Sequence, residues 1–211
     1  MAKLTWNDSG TKFYEVGVDR GVLYVDNIGV AWSGLISISE SPSGGEAQPY
    51  YIDGYKYLNL ATGEEFEATI EAYSAPAEFG VCDGVTSLQN GLFATQQPRK
   101  PFGLSYRTRI GNDSDGSEHG YKIHLVYNAL AAPAERTNTT DGDSPSPAIF
   151  SWEISTRPPM TSGNKPTAHF IIDSRFTAEA KLTEIEDILY GTEALTADLP
   201  TPSELMLIFA S

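Results

Sequence analysis

The alternation of apolar and polar positions predicts β-strands along most of the chain. In residues 64–73, EEFEATIEAY, polar side chains alternate with apolar ones. A period of two puts the two sets on opposite faces of a strand. The polar face consists of Glu65, Glu67, Thr69 and Glu71. Other segments with strand-like composition are 21–26, 30–40, 50–61, 104–110, 121–130, 148–156 and 167–173.

The hydrophobic period changes near the C-terminus. Residues 177–191 place Leu182, Ile185, Ile188 and Leu189 on one side of a helix, with Thr177 as its N-cap and Gly191 at its end. Thr201-Pro202-Ser203-Glu204 has the form of a capping box and opens a short apolar helix over 205–209. The pattern predicts a mainly β fold, sandwich or barrel-like, with one flanking amphipathic helix and a short C-terminal helix. We expect a single domain, 1–211.

Several polar segments interrupt this pattern. Residues 1–19 are a candidate N-terminal arm, 192–211 a candidate C-terminal arm and 134–147 a linker-like stretch on the outer surface. Gly54 suggests a bulge within the strand 50–61. The composition of 41–49 predicts a mobile loop at the tip of a long hairpin. That loop consists of Ser41, Pro42, Ser43, Gly44, Gly45, Glu46, Ala47, Gln48 and Pro49.

The net charge of the chain limits the kinds of partner that it can bind. The chain has 28 acidic and 14 basic side chains, a formal net charge of −14, and both halves have an acidic excess. Tight nucleic-acid binding needs several lysines and arginines on one face, and anionic membrane surfaces repel an acidic protein. We therefore expect neither a specific nucleic-acid contact nor a membrane partner, and synthesis in a cytoplasm, since the N-terminus lacks a signal-peptide pattern.

The sequence predicts no catalytic residue, no metal site and no cofactor. Cys82 has no histidine near it in sequence and is interpreted as a structural thiol. With one cysteine and three histidines, a structural zinc site is not expected. Alternation predicts that His124 faces away from the apolar side of 121–127, and both His124 and His169 are interpreted as ordinary sheet residues. Residues 112–116, NDSDG, do not satisfy the EF-hand pattern and are interpreted as a hairpin turn.

Long runs of the chain resemble one family. The resemblance covers nearly the whole sequence and is carried by KFYEVGVDRGVLYV (12–25), GLISISESPSGGEAQPYYIDGYKYLNL (34–60), EFEATIEAYSAPAEFGVCDG (65–84), GLFATQQPRKPFGLSYRTRIGND (91–113), HGYKIHLVYNALAAPAER (119–136) and KPTAHFIIDSR (165–175). In these runs the chain resembles the major tail tube proteins of long-tailed, siphovirus-type bacteriophages that infect actinobacteria. The tube protein of type VI secretion has a similar architecture.

The resemblance implies a structural virion protein of the phage tail. Copies would form hexameric rings, and the rings would stack into a tube through which genomic DNA is ejected. Further partners would be the tape measure, tail terminator and distal tail proteins. With four strands from each of six subunits, about 24 strands at ~4.8 Å spacing and ~45° tilt enclose a bore of about 40 Å, which admits duplex DNA.

Two surfaces follow as hypotheses from this implied assembly. Glu65, Glu67 and Glu71 would line the lumen, where a ring of carboxylates repels phosphates. The alternative for these residues is an exposed strand that its charge keeps soluble and monomeric. The 41–49 loop would contact the next ring and become ordered on assembly. The alternative function is a monomeric β-sandwich binding module that takes carbohydrate or a host surface through Trp6, Trp32 and Trp152 or through the tyrosines of 50–57.

Overall fold

The computed structural model describes residues 4–140, 146–161, 163 and 165–210. Residues 1–3 of the candidate N-terminal arm, 141–145 of the linker-like stretch and 211 of the candidate C-terminal arm lie outside the described residues.

Strands dominate the described part of the chain, as the sequence pattern predicts. In the N-terminal half they are β1 (Tyr14–Val25), β2 (Ile28–Ala31), β3 (Leu35–Glu40), β4 (Ser43–Gly44), β5 (Ala47–Ile52), β6 (Tyr55–Ala61), β7 (Glu64–Glu65), β8 (Glu67–Ala72), β9 (Thr86–Gln89) and β10 (Leu92–Ala94). The remaining strands are β11 (Phe102–Asn112), β12 (Gly116–Ala131), β13 (Phe150–Thr156) and β14 (His169–Asp173). A 3-10 turn spans Ala77–Val81, and two helices follow, α1 (Glu179–Tyr190) and α2 (Pro202–Ala210).

The main sheet closes on itself through the segment that contains β2 and β3. Its strand order is β2-β1-β11-β12-β13-β8-β3, with β14 paired to β12. Strand β2 pairs with β1 at one end of the sheet, and β3 pairs with β8 at the other end. Since β2 and β3 follow each other in the chain, the segment that contains them joins the two ends. Between them, the Trp32 amide donates to the Gly21 carbonyl at 2.8 Å. The result is barrel-like, as predicted.

Alternating side chains of this sheet form two cores. On β1, Leu23 points into the barrel interior, while Val22 and Tyr24 point to the opposite side. The interior is aromatic-rich, and Trp32, Phe79 and Trp152 pack together there. The second core lies between the outer sheet face and the helices. It contains Ile123, Leu125, Tyr127, Ile172, Leu182, Ile185, Leu189, Leu205 and Ile208.

The two helices confirm the amphipathic pattern, with one correction. Helix α1 ends at Gly191, which has a φ of 75°. Its N-cap is Ala178 rather than Thr177, because the Thr177 hydroxyl donates instead to the carbonyl of Asp173 at 2.9 Å. Ahead of α2 the capping box is formed as predicted: the Thr201 amide donates to Glu204 Oε2 at 2.7 Å, and the Glu204 amide to Thr201 Oγ1 at 3.3 Å.

The interpretation of residues 41–61 was wrong in detail. Ser43–Gly44 and Ala47–Pro49 lie within β4 and β5, so 41–49 is not a hairpin tip. The tip is at Asp53–Gly54, where φ angles of 51° and 80° give a two-residue turn of the kind that joins β5 to β6. Gly54 therefore reverses the chain instead of forming a bulge.

The candidate arms lie partly on the body. From Tyr14 onwards the 1–19 segment belongs to β1 and pairs with β11. In the C-terminal segment, Leu205 and Ile208 of α2 are buried in the second core. Residues 4–13 remain as the part of the N-terminal segment that precedes the sheet. Among the described residues, no helix is long and apolar enough to cross a membrane.

Candidate assembly surfaces and a buried histidine pair

A polar, acidic face covers three adjacent strands of the barrel. On β8 the apolar side chains Ala68, Ile70 and Ala72 are buried, and Glu67 and Glu71 point the other way, as the alternation predicts. Neighbouring β13 pairs Ser151 with Glu71 and Ser155 with Glu67. We call this surface the acidic face; it consists of Ser37, Ser39, Glu67, Thr69, Glu71, Ser151, Glu153 and Ser155.

Hydrogen bonds hold two carboxylates of the acidic face, Glu67 and Glu71, in place. The Ser37 hydroxyl donates to Glu71 Oε2 at 2.8 Å, and the Ser43 hydroxyl donates to Glu67 Oε1 at 2.9 Å. Strands β3, β8 and β13 contain no lysine or arginine. The face is therefore negative without a cation on its own strands.

The structure divides the three glutamates that the sequence grouped together. Glu67 and Glu71 share β8, whereas Glu65 belongs to the short strand β7, where it pairs with Ser43 outside the main sheet. Glu153, which sequence analysis missed, joins the acidic face because β13 lies next to β8 and Glu153 pairs with Thr69. Its alternation with Trp152 and Ile154 was the available signal.

The β5–β6 hairpin exposes apolar side chains on both faces. Tyr55 is 80% exposed and Tyr57 is 68% exposed, and every residue of the two strands is exposed to solvent. Among the described residues the hairpin pairs only with itself. Its large exposed apolar side chains are Tyr50, Tyr51, Ile52, Tyr55, Tyr57, Leu58 and Leu60.

An isolated two-stranded hairpin is only marginally stable in water, and exposed apolar patches of this kind mark interaction sites. The β5–β6 hairpin is thus a candidate contact surface. Residues 43–49 contain β4 and the first half of β5, so they lead into the hairpin.

Two histidines lie together inside the barrel, an association that sequence analysis did not predict. His124 on β12 and His169 on β14 approach with Nδ1 and Nε2 3.1 Å apart. Glu40, at the end of β3, lies with Oε1 3.5 Å from His124 Nδ1. The Tyr106 hydroxyl donates to Glu40 Oε1 at 2.7 Å, and Thr108 Oγ1 lies 3.1 Å from His124 Nε2. His124 faces away from Ile123 and Leu125, as the sequence indicated.

Burial controls the protonation of this cluster. Desolvation, together with a smaller effect of the neighbouring His169, lowers the pKa of His124 to about 4. Desolvation also lowers the pKa of His169, against the attraction of Glu40. Both imidazoles are therefore neutral at pH 7, and one ring nitrogen of the pair can donate to the other.

The other candidate residues from the sequence lie mostly in the core or in a turn. Cys82 is buried, and burial raises the pKa of its thiol to about 11, which keeps it protonated at neutral pH. The 112–116 segment is a hairpin turn, as interpreted, in which Asn112 Oδ1 accepts from the amides of Ser114 and Asp115. Trp32 and Trp152 are core residues, so of the three tryptophans only Trp6 is exposed.

Comparisons with known proteins include distant structural matches. No protein-family model matches the chain, and no curated protein matches it. Solved structures that are similar to the chain include the anti-feeding prophage baseplate, with 12% identity over 80% of this chain and 97% of that chain and a TM-score of 0.39. The tube-terminating cap of that prophage gives 11% identity over 82% and 97%, with a TM-score of 0.36.

A third similar structure is the sheath–tube complex of an extracellular contractile injection system, PVC. It has 14% identity over 73% of this chain and 88% of that chain, with a TM-score of 0.35.

Proposed function

We propose that the chain is a structural subunit of a phage tail that assembles with its own copies. In this proposal hexameric rings stack into a tail tube, and DNA passes through the lumen without specific binding. The observation that carries the proposal is the β5–β6 hairpin, which projects apolar side chains on both faces and has no partner strand among the described residues. The family resemblance of the sequence agrees with it.

The hairpin favours a protein partner that covers both of its faces. Burying a tyrosine or leucine side chain that is now exposed contributes roughly 1.5–3 kcal/mol, so several together hold a subunit contact. A copy of the same chain in the neighbouring ring meets this requirement, and contacts of this head-to-tail kind do not close, so they extend a filament. We assign the inter-ring contact to β5–β6, with residues 41–49 as its base.

The acidic face supports an assignment to the lumen. Glu67, Glu71 and Glu153 lie on adjacent strands, and their neighbours on the face are serines and threonine. Repeated around a ring, this surface forms a negative lining that repels phosphates and prevents DNA from adhering. Glu65 belongs to this lining only if β7 continues the face. The tape measure, tail terminator and distal tail proteins, and contacts by residues 4–13 and 192–210, remain predictions.

One observation favours the alternative, a carbohydrate-binding module. Exposed tyrosines such as Tyr55 and Tyr57 offer rings on which sugars stack. Burial of Trp32 and Trp152 removes two of the three tryptophans from that role. Binding of glycans by a permanently monomeric chain would favour the module over the tube.

Electron microscopy of the purified protein tests the proposal. We expect rings or tubes from the wild type at high concentration, and folded monomers from the double variant Tyr50→Ser/Tyr57→Ser. The matched control is Phe176→Ser, which removes an aromatic side chain that is 84% exposed outside the hairpin and should leave assembly intact. A wild type that stays monomeric at every concentration, or a hairpin variant that forms normal tubes, would contradict the proposal.

A further inference from the structure

The buried histidine pair on the neighbouring strands β12 and β14 meets a third metal-ligating side chain from β3, which is distant in the sheet. Glu40 is on β3, His124 on β12 and His169 on β14. One ligand atom from each lies within 4.8 Å of the other two. Strands β3 and β12 are separated in the sheet order by β13 and β8, so the three groups meet only because the sheet curls.

The spacing of the donor atoms suits a small divalent ion. Two ligand atoms about 2.0–2.1 Å from a tetrahedral zinc ion lie roughly 3.3 Å apart. The two imidazole nitrogens are 3.1 Å apart, and Glu40 Oε1 is 3.5 Å from His124 Nδ1. Two imidazoles and one carboxylate are also a donor set that zinc takes in proteins, with one further position open to water.

Groups around His124 and Glu40 already orient these two donors. Thr108 Oγ1 lies beside His124 Nε2, which leaves Nδ1 of that ring for an ion. Tyr106 donates to Glu40 and stacks its ring on His124, with 4.5 Å between centroids. Such outer partners fix the tautomer and direction of metal ligands.

An ion can reach the cluster from solvent. The Glu40 side chain is 38% exposed. His169 also borders an open cleft of about 610 Å³ whose wall includes Phe66, Lys165 and Thr167. The cluster is thus held inside the barrel wall while one of its sides faces water.

We propose that Glu40, His124 and His169 bind one Zn²⁺ ion per chain. The bound ion would link β3 to β12 and β14 and so stabilise the closed barrel. This inference does not depend on the proposed tail function, because it concerns the isolated chain.

The test uses untagged protein, purified with a chelator and then freed of it. Calorimetric titration with Zn²⁺ should give a stoichiometry of one per chain, and Co²⁺ should produce the visible absorption of a low-coordinate nitrogen–oxygen site that Zn²⁺ then abolishes. At 100-fold excess over the dissociation constant, Zn²⁺ should raise the melting temperature by about 5–10 °C.

Variants connect the binding to the three residues. His169→Asn and Glu40→Gln should lose the cobalt absorption and the thermal shift, and circular dichroism checks that each is folded. Thr108→Val, which keeps all ligands, should weaken binding about 10–100-fold. The matched control is His119→Asn, because His119 lies at the far end of β12 beside Asp115 and should not affect binding. Absence of stoichiometric binding to the wild type, or equal loss in His119→Asn, would overturn the proposal.

Discussion

Asp19 and Arg107 form a two-point ion pair between β1 and β11. Arg107 Nε and a terminal nitrogen donate to the two Asp19 carboxylate oxygens at 2.7 and 2.9 Å, and the two residues are directly paired in the strand register. These hydrogen bonds hold the pKa of Asp19 below its usual value, opposed by desolvation. The carboxylate therefore stabilises the folded chain only while it is ionised.

The pair predicts an acid-dependent loss of stability. The unfolded chain takes up the Asp19 proton near the usual pKa of ~3.9, and the folded chain takes it up at lower pH. The contribution is therefore present above about pH 4 and is lost as the pH falls through the folded pKa. Asp19→Asn should lower the free energy of unfolding by about 1 kcal/mol at pH 7, a value reduced for solvent screening, and the difference should shrink in acid.

Urea unfolding of wild type and variant, from pH 7 downwards, measures this difference. Asp26→Asn is the control, because Asp26 pairs with Lys100 at 3.0 Å on the surface and its side chain is 70% exposed. That change should cost less than ~0.5 kcal/mol. A difference for Asp19→Asn that stays constant with pH would show that the ion pair is not its source.

At the same scale, sequence could predict where single side chains point but not which of them meet. Alternation on β12 correctly placed His124 opposite Ile123 and Leu125. Its contact with Glu40 depends on the curl of the whole sheet, which brings β3 near β12 although neither strand pairs with the other. No local pattern carries that information, so the cluster was missed.

At the scale of elements, strands with one buried face were predictable, whereas the composition of 50–61 predicted a strand but not the turn between β5 and β6. Residues 67–72 have a strict apolar–polar alternation because one side packs into the core. The β5–β6 hairpin has apolar residues on both faces, so its period gives no register, and its polar approach 41–49 resembled a tip. The turn signal that mattered was Asp53-Gly54.

Strand β8 gives a direct test of this packing. Ile70→Ala removes a fully buried side chain between Trp152 and Ile38, its paired neighbours, and should lower the free energy of unfolding by about 2–5 kcal/mol. Thr69→Ala, one position along on the acidic face, should change it by less than about 1 kcal/mol. Urea unfolding at pH 7 compares the two, and similar costs would contradict the assignment of the two faces.

At the scale of the whole molecule, the acidic face and the hairpin have opposite effects on contact between copies. The hairpin supplies attraction between copies, since it leaves apolar side chains in water. The acidic face should stay free of both copies and DNA, because burial would desolvate its carboxylates. Two of them, Glu67 and Glu71, already accept hydrogen bonds from serine hydroxyls. A tube meets both requirements, because it would bury the hairpins between subunits and leave the acidic faces in solvent.

This arrangement predicts the location of DNA in charge-reversed tubes. In Glu67→Lys/Glu71→Lys/Glu153→Lys, tubes assembled with short duplex DNA at low salt should retain it inside, where the wall shields it from nuclease. Wild-type tubes should retain none, because their lining repels phosphates.

The matched control, Glu179→Lys/Glu184→Lys/Glu193→Lys, adds the same charge near α1; its DNA should bind outside and be digested. Retention should fall steeply with salt. Digestion of the DNA bound by the first variant would place the acidic face outside the lumen and refute the assignment.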